Sequence, residues 1–264
     1  MIRGLRLGPV LVALFALAAL VGPWLAADPG ALDLDHQFEL PSAAHLLGTA
    51  DNGVDLLSAM LLGARLAATV ALVVVGLSVS VGTLLGAWAG LRGGTFDLVL
   101  GGVMDLVQSF PGIVLNIAIL ALVAEPSLWH LIVALAVPGW VLYARLARAE
   151  ALALRDREFV QAARVLGVPP RRILLRHILP NLAGPILIQA TSAFGGVVLA
   201  ESTLSFLGLG PATHVSWGAL LDQGSGVLLR FPHVALVAGG AIALTVLGFN
   251  LTGDWLRDRV DVRG

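Results

Sequence analysis

The chain has 264 residues, of which 58% are hydrophobic and only 12% charged, with a formal net charge of −1 and a mean hydropathy of +0.91. A soluble domain carries roughly 25% charged residues, so this balance excludes an ordinary cytosolic enzyme and implies a polytopic membrane protein with no global field for nucleic acid. Cysteine is absent and all 16 basic residues are arginine, which excludes disulfides, thiolate metal sites, a cysteine nucleophile and the lysine of a P-loop.

A hydrocarbon core roughly 30 Å thick needs about 20 apolar helical residues to cross it. Six segments qualify, at about 7–27, 66–90, 97–123, 128–147, 184–208 and 232–253. The first follows Arg3 and Arg6 as a signal peptide would, but its apolar run from Leu7 to Ala27 exceeds the roughly 7–15 residues of a signal core, so a retained anchor is expected. The next segment, about 28–60, is acidic, with Asp28, Asp33, Asp35, Glu39, Asp51 and Asp55. Phe110-Pro111-Gly112 breaks the third span, because proline removes a backbone donor and clashes with the preceding turn. Pro138-Gly139 sits within the fourth and Pro185 opens the fifth. Such breaks persist in a membrane only where protein or a water-filled cavity satisfies the freed backbone groups. Gly82, Gly86 and Gly90, spaced by four, mark close helix packing. With the N-terminus inside, every arginine except Arg65 and Arg230 falls on the cytoplasmic side, which places both termini there.

The loop at about 148–183 contains 150-EALALRDREFVQAARVLGVPPRRILLRHILPN-181. Two short helices are expected, with Gly167 as the stop of the first, Pro169-Pro170 in the first turn of the second, and Pro180 ending it. Phe159, Ala163 and Leu166 share a face at helical spacing, and the small Ala162 and Ala163 permit close approach of a partner. Arg155, Arg157, Arg164, Arg171, Arg172 and Arg176 suit partner acids or lipid phosphate.

Asp97, Asp105 and Glu201 lie in or near apolar spans, where an ionised group is costly and suggests function. Asp97 and Asp105 are separated by about 80° around one helix. The competing reading is a buried acid hydrogen-bonded to a neighbouring helix. The six histidines are scattered without ligand spacing and read as polar surface, so no metal site is expected. The glycines of 86-GAWAGLRGG-94 read as packing and a tight turn rather than a phosphate cradle.

The core of the loop, 161-QAARVLG-167 with 179-LP-180, resembles the segment by which ABC-importer permeases grip their ATPases. That signature is Glu-Ala-Ala, three residues, Gly, nine residues, then Ile-x-Leu-Pro; here Gln161 replaces Glu and His177 replaces Ile. The stretches 45-HLLGTADNGVDLLSAMLLGAR-65, 93-GGTFDLVLGGVMDLVQSFPG-112, 140-WVLYARLARAE-150, 201-ESTLSFLGLG-210, 216-SWGALL-221 and 244-LTVLGFNLTGDWLRD-258 are similar to the second permease of dipeptide, oligopeptide and nickel importers. The resemblance implies an all-α, six-helix type I importer fold in a single permease domain, residues 1–264, in a bacterial inner membrane. It implies ATPase coupling through Phe159, Gln161, Ala162, Ala163, Leu166, Gly167, Arg171, Arg172 and Pro180, and it makes Asp105 and Glu201 candidates for the translocation path. The implied partners are a second homologous permease, two ATPase domains (separate or fused) that bind ATP and Mg, an extracytoplasmic binding protein and membrane lipid. The chain itself then needs no cofactor and catalyses nothing. Peptide is the expected substrate class, with nickel or another small solute as the alternative. An intramembrane hydrolase using Asp105 and Glu201 is the rival of another class, although no catalytic spacing supports it. The chain departs from the resemblance at Ala50, where Asp is usual, and at Val54 and Gly102, where Arg is usual.

Overall fold

A computed structural model describes residues 7–27 and 33–261. Its helices are α1 (Leu7–Leu25), α2 (Leu56–Arg92), α3 (Gly94–Gln108), α4 (Gly112–Leu120), α5 (Leu128–Arg155), α6 (Glu158–Val165), α7 (Pro170–Ile173), α8 (Leu179–Phe206), α9 (Trp217–Gly226) and α10 (Pro232–Asp261). Among the described residues five helices are long and apolar enough to cross a membrane, and six if α3 and α4 together form one span. Those two meet at an 81° bend. The bend sits where Pro111 adopts an extended backbone (φ −56°, ψ 128°), so the expected break is present.

Two sequence boundaries are corrected. α2 begins at Leu56 rather than near 66, because the Asp55 side chain caps it by accepting from the Ser58 N–H at 2.8 Å. Its first turns then bury Leu56, Ala59 and Met60. Pro180 does not end the second loop helix. A π turn over Leu174–Ile178, closed by the Leu179 N–H on the Leu174 carbonyl, widens the helix just before the proline. The chain therefore runs from α7 into α8 without a break, and Pro185 lies inside α8.

α2 and α5 approach most closely where their facing residues are smallest. A Cβ placed on Gly86 would collide with the Ala144 backbone and one on Gly90 with Arg148 and Ala151, and Ala144, Ala147 and Ala151 of α5 are wholly buried. α1 packs against α2 and α10 through Phe15, whose ring meets Trp217 and Phe249 edge-on at 5.9 and 5.8 Å. Trp217 is fixed in turn by donating Nε1–H to the Met60 carbonyl at 2.9 Å.

The described part of the 28–60 segment folds back onto the start of α10. Thr49 is fully buried, donates its hydroxyl to the His36 carbonyl at 2.5 Å, and offers its own carbonyl to His233 Nε2 at 3.1 Å. Ala50 and Val54, two of the departures from the resemblance, are joined by a 2.8 Å bond from the Ala50 N–H to the Val54 carbonyl. Both pack in the apolar cluster around Phe15 and Trp217, so the two missing charges are missing from one spot.

Candidate functional site

Residues 157–180 form a ledge with a firm base and an open crest. Val160 and Ala163 of α6 are buried beside Ile173, Leu174 and Ile178, and this cluster continues into α2 and α5 through Ala87, Leu91, Ala147 and Ala151. Arg164 adds a long bond from Nη2 to the Leu91 carbonyl at the end of α2 (3.5 Å). The crest carries Phe159, Val165 and Leu166, which are 43%, 88% and 81% exposed. Apolar side chains this bare on one short segment are a signature of a contact surface.

This arrangement divides the expected Phe159–Ala163–Leu166 face. Ala163 turns inward with Val160, whereas Leu166 lies past the end of α6 in a non-helical conformation (ψ 2°). Gln161 and Ala162 are exposed, and Gln161 Nε2 reaches back to the Arg155 carbonyl at 3.3 Å. Gly167 makes the turn with φ +77°, which a residue bearing a Cβ rarely adopts, and a Cβ there would meet open space. Phe159 and His177 place their rings 6.0 Å apart, joining the two helices of the ledge. Arg171 and Arg172 are exposed in the first turn of α7, and their side chains make no hydrogen bond among the described residues. Pro180 is exposed at the start of α8.

The two acids proposed for a translocation path have opposite surroundings. Glu201 is 1% exposed and accepts from the hydroxyls of Ser205 (2.9 Å), Ser216 (2.8 Å) and Ser202 (3.3 Å). It is a tie between α8 and the start of α9, which favours the buried-acid reading. Ser205 and Ser216 also line a groove of about 560 Å³ whose other walls include Asp51, Asn52 and His214. Asp105 is open and accepts from Arg145 Nη2 at 2.5 Å. On the same pair of helices, Arg148 clasps both oxygens of Asp97 through Nε and Nη2. These four residues line a cleft of about 370 Å³ between α3 and α5, floored by Gly101 and Gly102.

Sequence reasoning missed Arg145 and Arg148 as partners of these acids, having counted them only as cytoplasmic charge. Their spacing of three on an apolar helix was the available signal, since it puts both on one face. The histidines of the 28–60 segment pair with carboxylates, His36 Nδ1 with Asp33 at 2.8 Å and His45 Nδ1 with Asp55 at 3.0 Å. Hydrogen bonding to Asp33 raises His36 above its ordinary pKa of 6.5.

Residues 82–263 match the model of the binding-protein-dependent transport system inner membrane component family. This chain belongs to that family. The permease is 39% identical over 254 residues to a probable D,D-dipeptide transport system permease protein of Escherichia coli, covering 96% of this chain and 85% of that one. It is 37% identical to the dipeptide transport system permease protein DppC of Alkalihalophilus pseudofirmus, covering 96% and 84%. It is 32% identical to the oligopeptide transport system permease protein OppC of Bacillus subtilis, again covering 96% and 84%. The matched region takes in the whole ledge and both acid–arginine pairs, so these features belong to a transport permease of the inner membrane.

Proposed function

We propose that the permease is the membrane-spanning subunit of an ATP-driven importer of di- or oligopeptides. It would pair with a second homologous permease around a shared path, bind two ATPase domains on its cytoplasmic side and receive peptide from an extracytoplasmic binding protein. ATP and Mg would be held by the ATPases. The names of its relatives support peptide as the cargo. Both termini would be cytoplasmic, in keeping with the arginine distribution.

The observation that carries the ATPase role is the ledge: an exposed crest of Phe159, Val165 and Leu166 on a base packed into α2, α5 and α8. A push on the crest would be carried into α2, α5 and α8 by the buried contacts of the base. ATP binding can bias the two orientations of the path only through contacts that differ between them, and the ledge supplies the contact. The test is a mild-detergent pull-down of the tagged chain expressed from its native operon. Co-purification of a second permease and an ATPase is expected. A stable chain that emerges without an ATPase would sink the reading.

A further inference from the structure

The Asp105–Arg145 pair is an open charge pair between two apolar helices. Asp105 is eleven residues into α3, about 16 Å from its start beside Arg92. Arg145 is ten residues from the end of α5 at Arg155, about 15 Å back along that helix. α5 is about 42 Å long, more than a hydrocarbon core roughly 30 Å thick, and its charged last turns belong to the loop at about 148–183. The pair therefore lies in the half of the spans nearer that loop. Yet the two side chains are 45% exposed for Arg145 and 72% for Asp105. Charged groups within a span face a water-filled path or another protein surface, not lipid.

The two rungs of the cleft differ in how far they are satisfied. Arg148 spends Nε and Nη2 on both oxygens of Asp97, whose side chain is only 15% exposed. Arg145 spends only Nη2, on Oδ1 of Asp105; its other donors and the second carboxylate oxygen have no partner among the described residues. Between the rungs, a Cβ on Gly101 or Gly102 would meet no atom within 4 Å. The floor is therefore bare, and the cleft of about 370 Å³ falls within the roughly 300–1,000 Å³ of small-ligand sites.

We propose that this cleft is a transit subsite for the two charged ends of a short peptide, a reading that rests on the peptide-importer function above. Arg145 receives the peptide α-carboxylate and Asp105 the α-ammonium group. The ion pair within the protein opens as two ion pairs with the substrate form, so no charge is left unpaired. The closed Arg148–Asp97 rung holds α3 against α5 while this exchange occurs. A solute with one charged end leaves either Arg145 or Asp105 without a partner and is disfavoured.

The experiment uses the complete complex in proteoliposomes, with its binding protein saturated with a radiolabelled dipeptide. The readout is peptide carried per ATP hydrolysed. Asp105→Asn and Arg145→Gln are each expected to lower this ratio about tenfold or more, as for a lost hydrogen bond to a charged group. The double exchange Asp105→Arg with Arg145→Asp rebuilds the internal ion pair with reversed polarity and is expected to stay low. Recovery in the exchange variant, or wild-type ratios in both single variants, would overturn the subsite and leave the pair a brace. Should a variant fail to assemble, the wild-type complex is given the same dipeptide blocked at both ends and loaded to equal occupancy. Equal carriage of the blocked peptide overturns the subsite, and a tenfold loss supports it. A wild-type complex that hydrolyses ATP but carries no dipeptide overturns the peptide-importer reading itself, a result separate from either of these.

Discussion

Glu201 and Ser216, fifteen residues apart, are joined by a 2.8 Å hydrogen bond in which the buried carboxylate accepts from the serine hydroxyl. Ser216 also caps α9 by accepting from the Gly218 N–H at 3.1 Å, so one hydroxyl serves both ends of the tie. Glu201→Ala removes the common acceptor and strands the hydroxyls of Ser202, Ser205 and Ser216. A buried polar group left without its partner costs about 1–3 kcal/mol. Glu201→Gln keeps the Oε1 that accepts from Ser205 and Ser216 and loses less. Melting curves in detergent should rank the proteins wild type, Gln, then Ala; an Ala variant as stable as wild type would refute the tie.

Gly86 is the tightest point of the α2–α5 contact, with the Ala144 backbone where its side chain would be. Gly86→Leu should destabilise the fold by about 1–3 kcal/mol, as overpacking of a filled interior does. Gly76 lies on the same helix with no atom within 4 Å of an added Cβ, so Gly76→Leu is the control. Protease sensitivity should rise for the first variant alone.

Local signals in the chain were readable, and pairings across distance were not. Pro111-Gly112 foretold the break between α3 and α4, and the four-residue glycine spacing foretold the α2–α5 contact, because each acts through its own backbone. The early start of α2 was obscured by Arg65, which interrupts the apolar run, although Asp55 is a good capping residue. Pro180 misled because proline ends most helices, whereas the preceding π turn relieves its clash here. Ala163 was assigned outward on periodicity, but α6 is too short for that period to hold as far as Leu166. Asp97 and Arg148 are 51 residues apart, and Asp105 and Arg145 are 40, so only the folded chain brings them together.

Asp55 gives the segment before α2 an acid-sensitive anchor. Partial burial pushes its carboxyl up, but hydrogen bonds from Ser58 and the His45 ring outweigh this and hold it below its ordinary value of 3.8. A carboxylate with a depressed folded pKa adds stability that is complete above 3.8 and disappears as pH falls through the folded value. Loss of such a cap costs about 1 kcal/mol. Asp55→Asn retains a capping side chain that does not titrate. Between about pH 5 and about pH 3, wild type should therefore lose more thermal stability than the Asn variant. Parallel losses would mean that the acid response arises elsewhere.

The ledge allows coupling to be separated from folding. Leu166 is 81% exposed, so Leu166→Glu should change stability by less than about 0.5 kcal/mol. If the crest docks on an ATPase, the same change puts a charge into an apolar contact and should abolish both co-purification of the ATPase and peptide uptake. Gly167 acts by a different route, because a side chain there meets open space within this chain but forces a strained φ of +77°. Gly167→Ala should therefore cost about 1–2 kcal/mol through the backbone alone. Gly167→Asp should add to that strain a charge on the docking side, so it should lose uptake further than Ala does. Insertion of each variant is checked by membrane fractionation and coupling by uptake in whole cells. Normal uptake by both Leu166→Glu and Gly167→Asp would remove the ledge from the transport cycle.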